Sequence, residues 1–326
     1  MEVSVIIPTY KREKDLNECL NSIIIQTNLP KEVIVVDNNN DGKTENLISN
    51  LKNEFGKHGV LLRYIKNQRE NSLTAARNIG IKNSIGDIIL FLDDDIILEK
   101  NYIEEILKIY EKYSKALGVQ GYITIKPFKT ISFLKLVNLF GKIFFLGYLK
   151  KNECKVLPSI SSSYPYLLDK IISCQCLSGA NNSYKRLILE RFKCDEKLKK
   201  YSEGEDIDLS YRIFKEHPNS LFLTPYAKCI HKVSKEGRIP QKELIYMQEV
   251  YPLYLFYKII DQSFKNKVIY LWSRIGRLIF NTLVAIFKYR LNFKLISYRI
   301  GALFYCSRHF KEIKKGNLEF FNKTLK

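Results

Sequence analysis

Short aliphatic runs alternate with longer segments of helical periodicity through the first hundred residues, and this limits the chain to few folds. Val3-Ser-Val-Ile-Ile7 reads as a strand stopped by Pro8, and apolar residues at 16, 20, 23 and 24 predict a helix over 16–26. Strands follow at 32–36, with Asp37 at the end, at 60–65 and at 88–92; helices are predicted at 43–55 and 73–85. Strands that are apolar throughout are buried on both faces. The β-α-β-α order therefore predicts an α/β fold, a mostly parallel sheet flanked by helices. Ligands of such sheets bind beyond the carboxyl ends of the strands. Three polar clusters fall there: Thr9-Tyr10, Asp37-Asn-Asn-Asn40 and Asp93-Asp-Asp95.

Three adjacent aspartates behind the run Ile-Ile-Leu-Phe-Leu92 repel one another and call for a cation. Hard oxygen ligands at a sheet edge suit Mg²⁺ or Mn²⁺, which keep waters and bridge to phosphates. A competing reading makes Asp94 and Asp95 dipole-capping residues for a helix over 96–110. Further along, Glu203-Gly-Glu-Asp-Ile-Asp208 leads into a helix running toward Lys215. A metal clamp and a separate carboxylate base are the two parts needed to displace a diphosphate leaving group with an acceptor hydroxyl.

In this order, VSVIIPTYKR, VIVVDNNNDGKT, SLTAARNIGI, GDIILFLDDDI, SGANNSYKR and GEDIDLSYR resemble the signature blocks of family-2 glycosyltransferases with the GT-A (Rossmann-like) fold, over residues 3–235. The resemblance implies inverting transfer of a single sugar from a nucleotide-diphosphate sugar. Asp37 would bond the base, uracil if the donor is a UDP-sugar, with Thr9 and Tyr10 lining the same pocket. Arg77 and Asn78 would lie near the nucleotide, with Arg77 available to phosphate. Asp93 would hold the ribose, and Asp95 with Asp94 the metal (Mn²⁺ or Mg²⁺), with His231 nearby. Asp206 matches the catalytic base, Glu205 would orient donor or acceptor, and Gly179, between Ser178 and Ala180, would form a tight loop open to sugar. Two departures stand out. Leu189-Glu-Arg-Phe-Lys-Cys-Asp-Glu196 lacks the glycine expected before Phe-Asp-Glu, and no Gln-x-x-Arg-Trp block follows, which argues against a processive synthase.

The formal net charge of +19 is concentrated late: residues 241–326 hold 16 Lys and Arg against 5 Asp and Glu. The expected organisation is a catalytic domain over 1–238, with a nucleotide-binding half (1–100) and an acceptor half (101–238), followed by a basic amphipathic helical extension over 239–326. Within it, Arg274, Arg277, Asn281 and Lys288 fall on one helical stripe and the rest of the circumference is apolar, a pattern that suits a helix lying in the lipid interface. The mixed apolar segment 133–151 is a second candidate for membrane contact. Both lean toward a lipid-linked glycan acceptor, the competing reading being a helical bundle packed on the catalytic domain. The aliphatic stretch Val3 to Ile7 is too short for a signal-peptide core, so a cytoplasmic place, peripheral on the inner face of the cell membrane, is expected. Seven scattered cysteines are read as reduced packing residues, and His58, His217 and His309 as structural.

Other classes fit less well. A metal-dependent nucleotidyltransferase would carry a glycine-rich phosphate loop after the first strand, where Pro8-Thr-Tyr-Lys-Arg12 has no glycine. A basic nucleic-acid-binding protein would show a zinc-finger or RNP-type motif, and none is present.

Overall fold

The computed structural model describes residues 1–39, 41–124, 131–234, 236–287 and 293–325. The first part is β1 (Val3–Thr9), α1 (Glu13–Ile24), β2 (Glu32–Asp37), α2 (Lys43–Lys57), β3 (Leu61–Lys66), α3 (Leu73–Asn83) and β4 (Ile88–Phe91). Then come β5 (Ile96–Leu98), α4 (Tyr102–Lys112), β6 (Gly118–Ile123), α5 (Ile131–Phe144), β7 (Tyr148–Leu149), β8 (Val156–Leu157), β9 (Ser161–Tyr164), β10 (Ile172–Ser173), β11 (Asn182–Lys185), α6 (Arg186–Arg191), α7 (Glu205–Glu216) and β12 (Leu221–His231). Helices α8 (Gln241–Ile259), α9 (Phe264–Phe287), α10 (Phe293–Arg308), α11 (Phe310–Lys314) and α12 (Glu319–Asn322) follow.

The main sheet runs β10-β12-β6-β11-β4-β1-β2-β3, with β5 pairing to β12. Its β4-β1-β2-β3 half is parallel, as the aliphatic runs require, while β11 enters antiparallel between β4 and β6. Side chains of β1 alternate between two cores. Val5 and Ile7 meet Leu16, Leu20 and Phe55 on one face, and Ile6 meets Ala76, Tyr184 and Ile213 on the other. Gly80 lets α3 approach so closely that a Cβ there would collide with Ile6.

The expectation that Pro8 stops β1 is corrected: the strand continues through it to Thr9, paired with Val36 and Asp37. Ile6 bonds toward β4 through its carbonyl, which accepts from the Leu92 amide, and Thr9 accepts from Asn38 on the β2 side. By alternation the missing N–H of Pro8 faces the β4 side, where pairing has ended at Ile6, so no ladder bond is lost. The competing reading of a helix over 96–110 is overturned. Ile96–Leu98 pairs antiparallel with His231–Cys229, and the helix starts only at Tyr102. The aspartates therefore precede a strand and cap no helix.

Past the boundary expected near 238, α8 carries Met247, Val250, Tyr251, Leu255 and Phe256 into a third core, shared with Ile160 and Leu198 before it and Phe321 after it. The arginine stripe of α9 points inward, against the expectation of a polar face turned to the lipid interface. Arg274 is buried on Glu249 of α8, and Arg277 donates to the Gln248 carbonyl. The outward side of α9 is apolar instead, with Val268, Leu271, Trp272, Ile275, Ile279, Leu283 and Ile286 exposed at i+3 and i+4 spacing. Lys288 lies outside the described residues, as does Asn40 of the Asp37–Asn40 cluster. By length and composition, residues 264–286 could cross a bilayer.

Candidate active site

The carboxyl ends of β1, β2 and β4, the loop before β11 and the start of α7 enclose an open cleft of about 330 Å³. Among its lining residues are Thr9, Tyr10, Arg12, Asn38, Arg77, Asp93, Asp94, Asp95, Gly179, Glu203, Glu205, Asp206 and His231.

The three aspartates sit directly after β4 and each has a different environment. Asp94 accepts from Thr9 Oγ1 at 2.8 Å and from Arg12 Nη1 at 3.0 Å, and burial still pushes its carboxyl up to about 7. Asp95 Oδ2 accepts the Ser234 amide at 2.8 Å, while Oδ1 is buried with no aligned hydrogen-bond donor, 3.2 Å from His231 Nε2. Burial opposes ionisation of Asp95, but His231 and the Ser234 amide outweigh it and hold the carboxyl below its ordinary value. One ligand atom each from Asp93, Asp95 and His231 lie within 4.8 Å of one another. Two carboxylates and an imidazole, one oxygen lacking a donor, are a donor set that fits a divalent cation such as Mn²⁺ or Mg²⁺. Of the expected metal set, Asp95 and His231 stand in this cluster, with Asp93 as the third member, and Asp94 lies beside it. Thr9 and Arg12 occupy Asp94.

Arg77 links this edge to α7. It is almost fully buried, although the sequence offered it to phosphate: its guanidinium pairs with Glu205, reaches Asp93 at 3.4 Å and donates to the Gly179 carbonyl at 2.8 Å. Burial disfavours its charge, yet Glu205 and Asp93 outweigh that and raise its pKa. Glu205 is buried as well, and desolvation pushes it up to about 7 despite Arg77; its Oε2 has no hydrogen-bond partner. Asp206, next in α7, accepts the Gly179 amide at 3.0 Å and the Ile207 amide at 2.8 Å while still facing the cleft. Gly204 takes φ +84° to turn the chain into the helix. A Cβ on Gly179 would lie 2.6 Å from Glu205 Oε1, so glycine is required there.

Two expected residues lie outside the cleft lining. Asp37, fully buried, accepts from the Asn39 amide and Tyr64 hydroxyl, fixing the turn that carries Asn38 into the cleft wall. Asn78 clamps the 194–196 loop, donating to the Cys194 carbonyl and to Glu196 and accepting from the Cys194 amide. Sequence reasoning missed Arg12, whose guanidinium lies 3.0 Å from Asp94 and 3.7 Å from Asp95. The signal was the Tyr-Lys-Arg sequence at the end of β1, one strand from the aspartates.

A metal-suited carboxylate edge facing a second carboxylate at a helix start, on a mostly parallel sheet, defines a GT-A-type fold. Solved glycosyltransferases share it. Pyrobaculum calidifontis mannosyltransferase PcManGT, solved with GDP-Man and Mn²⁺, aligns over 93% of this chain and 86% of its own, with TM-score 0.57 and 17% identity. TarS 1-349 of S. aureus, solved with UDP-GlcNAc, aligns over 93% and 80%, with TM-score 0.57 and 16% identity. Residues 4–161, just under half of the chain, match the Glycosyl transferase family 2 model, which supports a glycosyltransferase domain over that part. Glycosyltransferase GlyA of Streptococcus pneumoniae is 36% identical over 238 residues, 72% of this chain and 31% of its own length. A glucosyl-dolichyl phosphate glucuronosyltransferase of Haloferax volcanii is 30% identical over 126 residues, 38% of each chain. The chain thus spans about a third of the length of these curated relatives.

Proposed function

We propose that the chain transfers a single sugar, with inversion, from a nucleotide-diphosphate sugar to a hydroxyl of a lipid-linked glycan, UDP-sugars being the favoured donors. The observation that carries this is the pairing of the Asp93–Asp95–His231 cluster with Asp206 in one cleft. A divalent ion held by those three residues would neutralise the diphosphate as it departs. Asp206, fixed by the Gly179 and Ile207 amides, takes the proton of the acceptor hydroxyl. The acceptor oxygen then forms its bond to the anomeric carbon as the bond to the diphosphate breaks on the opposite face, which inverts the centre. Glu205, locked to Arg77, positions Asp206 and the Gly179 loop rather than touching the hydroxyl. Thr9, Tyr10 and Asn38 are the base-side wall, shaped by Asp37.

The exposed apolar face of α9, and a relative whose name specifies a dolichyl phosphate-linked substrate, support the lipid-linked acceptor. Peripheral contact with the cytoplasmic face of a membrane goes with it. The test compares two variants in thermal shift with UDP, GDP and dTDP plus Mn²⁺, Mg²⁺ or EDTA. Asp206→Asn should keep the metal-dependent nucleotide shift and lose transfer, whereas Asp95→Ala should lose the shift itself. Equal loss of binding in both overturns the division of roles.

A further inference from the structure

Three arginines converge where α8, α9 and α10 meet, and among the described residues Glu249 is the one carboxylate in ion-pair contact with any of them. Glu249 gives one oxygen to Arg299 at 2.7 Å and the other to Arg274 at 3.3 Å, so both its oxygens are used. Arg274 also donates to the Ser159 carbonyl and Arg299 to Gln248 Oε1. Arg277 has only the Gln248 carbonyl at 3.4 Å and, among the described residues, no carboxylate within ion-pair distance. Arg299 Nε and Asn281 Nδ2 are buried without a hydrogen-bond partner, and Arg299 is only 4% exposed. A cation beyond those the carboxylate pairs, beside orphaned donors in a largely buried place, is costly unless an anion completes the cluster.

The position of this cluster indicates which anion. Glu203, on the cleft wall beside Asp206, is near enough to Arg277 and Arg299 for their charges to favour its ionised form, so the arginines lie close to that wall. Helices α5 and α9 pack together, with Phe140 5.7 Å from Phe280, and each carries exposed apolar residues, Leu136, Leu139 and Ile143 on α5 and Leu271 and Ile275 on α9. Phe144 stacks on Trp272 at 4.9 Å, and Trp272 Nε1 donates to the Ile143 carbonyl, so the two helices present one continuous face. A lipid-linked glycan offers a sugar to the cleft, an anion to the cations and a long apolar chain to the α5–α9 seam.

We propose that Arg277, with Arg299 and Asn281, binds the phosphate of a polyprenyl-phosphate-linked acceptor whose apolar chain lies on the α5–α9 seam. This rests on the lipid-linked reading above and adds the residues that select its headgroup. Burial and the neighbouring Arg274 and Arg299 depress Arg277 to about 10, with Glu249 and Glu203 pulling the other way.

Flotation with phosphatidylcholine vesicles containing polyprenyl phosphate, uncharged polyprenol of equal length, or phosphatidylglycerol at matched charge tests the inference. The wild-type chain should prefer polyprenyl phosphate over both others by about tenfold, as a charge-assisted contact gives. Arg277→Gln should abolish that preference and Arg277→Lys should retain part of it, each checked for folding by its Mn²⁺-dependent nucleotide shift. If Arg277→Gln fails to fold, Asn281→Leu, which leaves the charges in place, should weaken the same preference. Equal binding of phosphate and alcohol, equal binding of phosphatidylglycerol, or a preference surviving in Arg277→Gln overturns the subsite while leaving a lipid-facing seam. Binding to no vesicle overturns the subsite and the lipid-linked reading together, with the nucleotide shift still testing the donor site.

Discussion

Replacing Arg77 by methionine removes the cation that joins the two halves of the cleft. Glu205 would be left 5% exposed, its Oε1 stripped of a donor and its Oε2 already without one, and the Gly179 carbonyl would lose a 2.8 Å bond. Breaking a buried pair from one side costs about 3–5 kcal/mol, which in a chain of this size lowers Tm by about 4–7 °C. The loss should depend on pH with a definite sign. Burial raises Glu205 from 4.5 to about 7 in the folded state, so its neutral form contributes stability that is fully present below about 4.5 and disappears as the pH rises through about 7. Without Arg77 the folded pKa climbs further. Arg77→Met should therefore be far more destabilised at about pH 8 than at about pH 5.5, where Glu205 is protonated. Adding Glu205→Gln should recover about 2 kcal/mol at the higher pH. Urea unfolding of the wild type, both single variants and the double variant at the two pH values measures all of this. A loss under about 1 kcal/mol, or an equal loss at both pH values, refutes the reasoning.

Gly179→Ala places a Cβ 2.6 Å from Glu205 Oε1 and 3.3 Å from Arg77 Nη1, in a spot the ion pair cannot vacate. It should destabilise by about 1–3 kcal/mol and lower transfer about a hundredfold by displacing Asp206, read by melting and by nucleoside diphosphate release from the donor found in thermal shift. Glu249→Gln leaves Arg274 and Arg299 buried without a counter-charge and should cost about 3–5 kcal/mol in urea unfolding; a change below 1 kcal/mol would mean that the arginines are otherwise solvated.

Most of the parallel half was legible because three of its strands are almost wholly apolar, Val3–Ile7, Val33–Val36 and Ile88–Phe91, and buried strands announce themselves by composition. The polar residues at their ends then mark the cleft without further information. What could not be read were pairings that depend on distant residues. The Asp93–Asp94 distinction turns on Thr9 and Arg12, more than eighty residues earlier, which consume one carboxylate and leave the other. Periodicity found the arginine stripe of α9 but not its direction. That was decided by Glu249, whose charge sits on an otherwise apolar stretch of α8 and draws the arginines inward. His217 caps α7 and His309 stacks on Tyr305 and Phe320, in keeping with their structural reading, and all seven cysteines are buried and free.

The place of β11 has a consequence for synthesis. Strand β4 is complete at Phe91, but the neighbour that covers its open edge, Asn182–Lys185, leaves the ribosome some ninety residues later. At translation rates of 5–20 residues per second the nascent sheet waits about 5–20 s with that aliphatic edge unpaired. The segment 96–98 waits longer still for its partner at 229–231. An unpaired edge of this kind is a template for pairing with other chains, so the yield of folded protein should rise when elongation through residues 92–185 is fast or when a holdase is abundant.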